Sequence, residues 1–403
     1  MIEGLYIHVP FCDGKCHYCA FYSVPYSREK GEVWLAALKR EAEAARSEFG
    51  PFAYSTVFLG GGTPTLLPMD QLEKLLSLVS PHISSTLVSS KVDRDLPATA
   101  GSDAARRSAS TSGCRCGSEW TSEANPGSVD GDKLRLMKSA GVNRISLGVQ
   151  AFDDQVLRQL GRRHSVKDIY AAEEAIKSAG FTNWGLDLIA CVPGVSAEAW
   201  RDTLCAAVKL DPTHVSVYAL TREEGTRLDR DHQAGTVTLL DDDEQLRMLD
   251  LAEEVLGAAG LPRYEISNYA RPGFECRHNL SCWRGENYVG LGCAASSRVG
   301  NRRWTNESDF ESYLAAGARE EEVLTPLMDG VERLIFGLRM TEGIDLEAIL
   351  LACGLAGSPQ EAVWKKTLAR LEGEGLVVSG GSRWCLTTRG RELADHVAVE
   401  LMP

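Results

Sequence analysis

No stretch of the 403-residue chain is apolar for long enough to cross a bilayer. The start, MIEGLYIHVP, carries neither a basic segment nor a long apolar one, so no secretory signal is expected. Positive charge is in short supply. Lys and Arg number 43 against 56 Asp and Glu, a net charge of −13, which argues against a general affinity for nucleic acid while leaving room for a local basic patch. No basic segment interleaved with aromatics is found, so an RNA-modifying activity has no support. These exclusions leave a cytoplasmic globular protein as the expectation. Cysteine is not lacking: twelve are present, three of them clustered, which suits a reducing compartment better than a disulfide scaffold. The length fits one large domain and a small one, and an apolar fraction of 44% suffices for a substantial core.

The clustered cysteines, Cys12, Cys16 and Cys19, form a CxxxCxxC array directly after an alternating apolar run, Leu5 to Val9, that reads as a strand. Thiolates are ligands for iron–sulfur clusters. Three of them on a four-iron cluster leave one iron without a protein ligand, an open position of the kind that catalytic metal sites keep. Core packing does not explain three cysteines within eight residues beside Gly14 and Lys15. A zinc site would need a fourth ligand, for which His17 is the nearest candidate.

Five further strands follow, at Ser55–Leu59, Glu119–Ala124, Arg144–Val149, Trp184–Ile189 and His214–Leu220, with helices between them. That alternation predicts an α/β fold of parallel strands with helices outside. Six strands rather than eight predict a partial, open TIM-like (β/α)6 barrel, whose site lies at the C-terminal ends of the strands. Cys12 to Cys19, the triplet Gly60-Gly61-Gly62, Glu123, Gln150 and Asp187 all fall at or near strand ends, which points to one shared site. The glycine triplet lets backbone approach a ligand closely. Residues 84–118, rich in Ser, Ala, Thr, Arg and Asp, read as a poorly ordered insert carrying Cys114 and Cys116. Beyond the barrel, Arg263 to Tyr269 reads as a strand. Next come Cys276, His278, Cys282 and Trp283, a grouping chemically suited to heme through imidazole, thiolate and a flat apolar contact, although a lone His is more often structural. From residue 326 onward a helix, a hairpin turning at Gly380-Gly381 and a last helix over Gly390–Leu401 resemble a winged-helix module. The expected division is a barrel over 1–225, an extension over 226–325 and the small module over 326–403.

The wording IHVPFCDGKCHYCAF resembles the radical S-adenosylmethionine (SAM) superfamily. Within it, it resembles the oxygen-independent coproporphyrinogen dehydrogenases and their relatives, the HemW heme chaperones. The dehydrogenases carry a further Cys two positions after the third; Phe21 stands there, as in the HemW group. The resemblance implies a [4Fe-4S] cluster on Cys12, Cys16 and Cys19. It also implies SAM held by Tyr6, the loop Gly60-Gly61-Gly62-Thr63, Glu123, Gln150, Arg162 and Asp187, through segments similar to EANPG, ISLGVQAF and GRRH. Heme would bind near His278 and Cys282, where HNLSCW is similar to the HNxxYW of the chaperones with Cys282 in place of Tyr. Implied partners are heme-accepting apoproteins and an electron donor such as flavodoxin or ferredoxin, with scope for peripheral association with a membrane. The leading expectation is a heme chaperone, and the alternative is a coproporphyrinogen III dehydrogenase. Two segments depart from the pattern: Asp187 to Gly194, where the family reads DLIYGLPG, and Gly290 to Ser297, where Ser296 replaces a histidine.

Overall fold

The computed structural model describes residues 2–50, 54–79, 117–316 and 319–403. Almost all of the 84–118 insert, with Cys114 and Cys116, lies outside the described residues. Six parallel strands form the frame: β1 (Gly4–Val9), β2 (Thr56–Gly61), β3 (Glu119–Ala124), β4 (Arg144–Gln150), β5 (Trp184–Ala190) and β6 (His214–Ala219). They lie side by side in chain order. The helices that follow them include α1 (Arg28–Phe49), α2 (Met69–Val79), α3 (Gly131–Ala140), α4 (Asp154–Gln159), α5 (Val166–Ser178) and α6 (Ala197–Lys209). Helix starts coincide with side-chain caps: Ser27 accepts from Lys30 N–H, Asp130 from Lys133 N–H and Ser196 from Ala199 N–H.

Strand period two sorts the side chains. Leu5, Ile7, Val9, Val57, Leu59, Trp120, Ile145, Leu147, Leu186, Leu188, Val215 and Val217 form one face and join the main core. The alternate positions face the barrel interior and are mostly polar, among them Tyr6, His8, Thr121, Glu123, Ser146, Asp187 and Ser216. This strict division makes the interior a chamber and leaves the hydrophobic core between sheet and helices.

The sheet does not stop at six strands. Two helices, α7 (Arg227–Gln233) and α8 (Asp242–Ala258), lead to β7 (Asn268–Ala270), antiparallel to β6. After α9 (Arg277–Trp283) the chain returns to the opposite edge. There β8 (Tyr288–Leu291) pairs parallel with β1, and β9 (Ser296–Val299), β10 (Arg302–Thr305) and, after the short α10 (Phe310–Leu314), β11 (Glu320–Val323) continue antiparallel. One sheet of eleven strands results. The expected strand over Arg263–Tyr269 is mostly a turn. The Glu265 carboxylate accepts from Ser267 N–H and Asn268 Nδ2, and Tyr264 N–H reaches Asn268 O, so the chain folds back before a strand can form.

Residues from α11 (Pro326–Gly337) onward have their own core around Trp364, Leu334, Leu368 and Leu371. Here α12 (Leu346–Ala352) and α13 (Pro359–Gly373) precede a hairpin of β12 (Val377–Gly380) and β13 (Arg383–Leu386). The expected last helix is two, α14 (Thr388–Glu392) and α15 (Ala394–Leu401), broken at Leu393.

Candidate functional site

The cysteine loop is closed at its base. Phe11–Cys12 pairs with Val24–Pro25, and Val24 N–H donates to Pro10 O at 2.7 Å. The glycine loop is zipped to the same segment, with Gly62 N–H on Val9 O at 2.8 Å and Thr63 N–H on Phe11 O at 2.7 Å. A Cβ at Gly62 would fall 2.5 Å from Phe11 O, so no other residue permits this approach. Gly61, at φ +98°, lies against the His8 ring. All three thiols are half-buried. Cys12 Sγ is 3.9 Å from Thr63 Oγ1, and Arg162 Nη1 donates to Cys16 Sγ at 3.4 Å. Burial pushes the Cys12 and Cys19 thiols up. His17 does not supply a zinc ligand here: its Nδ1 meets Gln159 O at 2.8 Å and its Nε2 faces Arg227 at 3.2 Å. Among the described residues no three His, Cys, Asp or Glu side chains converge on a single ion.

Immediately inside the barrel, Gly61 N–H donates to Glu123 Oε2 at 3.2 Å. Burial, then the charge of Asp187, pushes Glu123 up to about 8. Burial also raises Asp187, whose carboxylate accepts from Ser146 Oγ at 3.1 Å and from Ser216. Two enclosed carboxyls that disfavour each other's ionisation form a receptacle for positive charge. Gln150 sits at φ +70° where the β4–β5 register shifts, a bulge that re-aims its side chain over Gly148. Arg162 reaches further than the Cys16 thiol: its Nη2 donates to Asn125 Oδ1 at 2.6 Å and to Gly148 O at 2.9 Å. Tyr6 OH lies 3.1 Å from His8 Nδ1, while His8 Nε2 lies 3.1 Å from the Tyr22 carbonyl. A carbonyl only accepts, so His8 carries its proton on Nε2 and accepts from Tyr6.

The residues named from the sequence therefore separate into two groups. Cys12, Cys16, Cys19, Gly60–Thr63, Glu123, Gln150 and Arg162 gather at the C-terminal mouth of the barrel, with Tyr6 and Asp187, which stands mid-strand in β5, below them. His278 and Cys282 lie at the other end, on α9 beneath the strand starts. His278 Nδ1 is 3.1 Å from Thr56 Oγ1, and its ring stacks on Phe58 at 5.2 Å and on Tyr6 at 6.5 Å. Gly4 and Val9, which mark the two ends of β1, are roughly 17 Å apart at strand rise. Burial lowers His278 to about 4 and pushes Cys282 up to about 12. The Glu119 carboxylate anchors the start of α9, accepting from Arg277 N–H at 3.2 Å and His278 N–H at 3.1 Å. The motif thus serves as the floor of the barrel.

Sequence reasoning missed Asn125, Ser146, Ser216 and Tyr218. The last is 45% exposed at the end of β6, with Ser216 on its strand face and Asp187 nearby. Alternation along β6 was the available signal. Of the two departing segments, Cys191 holds φ +63° where the family pattern has Gly, and lines a cavity of about 270 Å³ with Phe152, Tyr170 and Trp200. Ser296 is taken up by Thr305 Oγ1 at 2.9 Å.

Comparison with known proteins agrees with this geometry. The Radical SAM superfamily profile matches residues 6–205, and the HemN C-terminal domain profile matches residues 324–393. The heme chaperone HemW of Bacillus subtilis (strain 168) is 31% identical over 402 residues, covering 98% of each chain. The heme chaperone HemW of Mycobacterium tuberculosis (strain ATCC 25618 / H37Rv) is 35% identical over 404 residues, covering 99% of this chain and 94% of its own. The solved coproporphyrinogen III oxidase HemN of Escherichia coli, a radical SAM enzyme, superposes with a TM-score of 0.78 at 22% identity, covering 99% and 90% of the two chains, and shares the fold. With that identity sustained over nearly its whole length, the chain belongs to the radical SAM superfamily and, within it, to the HemW family.

Proposed function

We propose that the protein is a heme chaperone that carries a [4Fe-4S] cluster on Cys12, Cys16 and Cys19, binds SAM at the barrel mouth, and delivers heme to acceptor apoproteins in the cytoplasm. The observation that carries this is the placement of three half-buried thiols against a pair of enclosed carboxyls, Glu123 and Asp187, in a chain similar end to end to proteins named heme chaperones. The donor set fits: thiolates suit iron, and the carboxyls suit the ammonium and sulfonium charges of SAM. When bound, such a cluster supplies a one-electron centre with one iron open to a further ligand. Around it Arg162 orients Cys16, Thr63 flanks Cys12, and the glycine loop keeps side chains out of the approach. Phe21, in place of the dehydrogenases' extra cysteine, is solvent-exposed and ligates nothing. The three-part division at about 225 and 325 is retained as a functional one, although β8 to β11 share the barrel's sheet.

Heme binding through His278 requires α9 to leave the floor, because the imidazole is enclosed by Phe58, Tyr6 and Thr56. The test is anaerobic reconstitution followed by heme titration and transfer to an apoprotein. Cys12→Ala, Cys16→Ala or Cys19→Ala should abolish the cluster's EPR signal. His278→Ala should change the heme spectrum and slow transfer, and heme should speed hydrogen exchange across 277–283. Cys282→Tyr, which restores the family wording, should keep binding. Wild-type behaviour of His278→Ala in both heme assays would remove His278 as a ligand.

A further inference from the structure

We propose that Asn125 is a positioning residue for the cysteine loop: its one side-chain amide sets a hydrogen-bond donor on both Cys12 and Cys16, and through them the reduction potential of the cluster. The inference rests on the reading that this loop holds the cluster. Asn125 directly follows β3. Its Oδ1 accepts from Arg162 Nη2 at 2.6 Å, and its Nδ2 donates to Thr63 Oγ1 at 2.8 Å. A guanidinium only donates, so the atom it meets is the amide oxygen and the other end is the NH2 group. Thr63 Oγ1 therefore accepts from Asn125, and its own proton is left for Cys12 Sγ, 3.9 Å away. Arg162 Nη1 donates to Cys16 Sγ at 3.4 Å. The line Cys12–Thr63–Asn125–Arg162–Cys16 is continuous, and both of its ends donate to sulfur.

The amide is itself held in place. Asn125 O accepts from Ser128 N–H at 3.0 Å and from Ser128 Oγ at 3.1 Å. Thr65 Oγ1 meets Ser128 Oγ at 2.7 Å, and Lys133 Nζ donates to Thr65 O at 2.6 Å and to Ser128 O at 3.2 Å, which ties the glycine loop to the loop after β3. Thr63 is 3% exposed, with its N–H on Phe11 O. Cys19 takes a backbone hydrogen bond from Phe21, and Cys12 a second one from Ser23; neither involves Asn125. Hydrogen bonds to a cluster's sulfurs raise its potential, because they stabilise the more negative, reduced state. A carboxylate in place of the amide has no proton for Thr63. It accepts the Thr63 hydroxyl proton, which Cys12 then loses, and it draws Arg162 away from Cys16.

The test is a mediated redox titration, followed by EPR, of anaerobically reconstituted full-length protein without SAM. Asn125→Asp should favour the oxidised cluster about tenfold at a fixed potential, a fall of about 59 mV for a one-electron couple. Thr63→Val, which keeps the shape and removes the hydroxyl, should lower the potential in the same direction. A new charge acting by itself would add its effect to that of Thr63→Val. Acting through Thr63, it should leave the double variant with a fall smaller than the sum of the two. A wild-type potential in Asn125→Asp with cluster content intact overturns the proposal, as does strict additivity in the double variant. Where Asn125→Asp holds no cluster, a wild-type potential in Thr63→Val overturns it. Absence of any cluster in the wild type overturns the reading of the loop, and this inference with it.

Discussion

Glu123 carries a pH dependence that can be worked out in advance. Its ordinary value is 4.5 and burial beside Asp187 raises it to about 8. The native state therefore keeps a proton that the unfolded chain has released between those values. Stability of the ligand-free protein should fall as pH rises from about 5 to about 8 and level off above that. Glu123→Gln should remove most of this slope, which thermal melts from pH 5 to 9 will show. A cation entering the receptacle favours the carboxylate, so SAM binding at pH 7 should release a proton, measurable by calorimetry in buffers of different ionisation enthalpy. Glu123 was legible from the sequence because parallel strands place functional groups at their C-terminal ends, whereas Asp187 stands mid-strand in β5 and faces the interior by alternation. His278 was legible as a residue of note but not as a floor residue. The rings stacked on it, Tyr6 and Phe58, and its hydrogen-bond partner Thr56 lie more than 200 positions away, and nothing in HNLSCW records them; its edge-on neighbour Tyr288 lies outside that motif too.

Helix α9 is seven residues long, too short to stand on propensity alone, and tertiary anchoring accounts for its presence. The Glu119 carboxylate takes the place of a local cap, since Cys276 at the N-cap position makes no side-chain bond to the helix. Glu119→Ala should leave two buried N–H groups and the nearby buried Arg144 without their carboxylate, and cost about 3 kcal/mol. A lower urea midpoint at unchanged slope will measure this, and faster labelling of Cys282 by a thiol reagent will report that α9 has lifted. Elements with a strong local pattern, such as α1 and α6, fall within a residue of the ranges that periodicity predicts for them, Glu29 to Phe49 and Ala197 to Leu210. The Arg263–Tyr269 segment does not, because RYEISNY has strand-like composition but the Glu265 side chain takes the Ser267 backbone N–H that a strand would give to a neighbour.

Across the whole molecule, the small module built on α11 is held to the sheet by ion pairs. Arg298, buried on β9, pairs with Asp329 and Glu332 of α11, Arg303 pairs with Glu332, and Arg391 with Glu253 of α8. Removing one member of a buried set exposes the cost of the others, so Arg298→Met should destabilise docking by about 3 kcal/mol. Because the module has its own core, the expected signature is a separate, earlier calorimetric transition and proteolytic cleavage near Leu324–Thr325. The outermost strand, β11, is Glu320-Glu321-Glu322-Val323, whose charges discourage pairing with another chain. Near the centre of the same sheet stands β1, flanked by β2 on one side and β8 on the other. A ribosome delivers β1 well before its second neighbour, which begins at Tyr288. At roughly 5–20 residues per second, the strand that ends at the cysteine loop keeps one edge open for on the order of half a minute. The strand that leads into the cysteine loop is thus made long before the sheet can close on its second side, and the loop's seat is complete only once β8 has been synthesised.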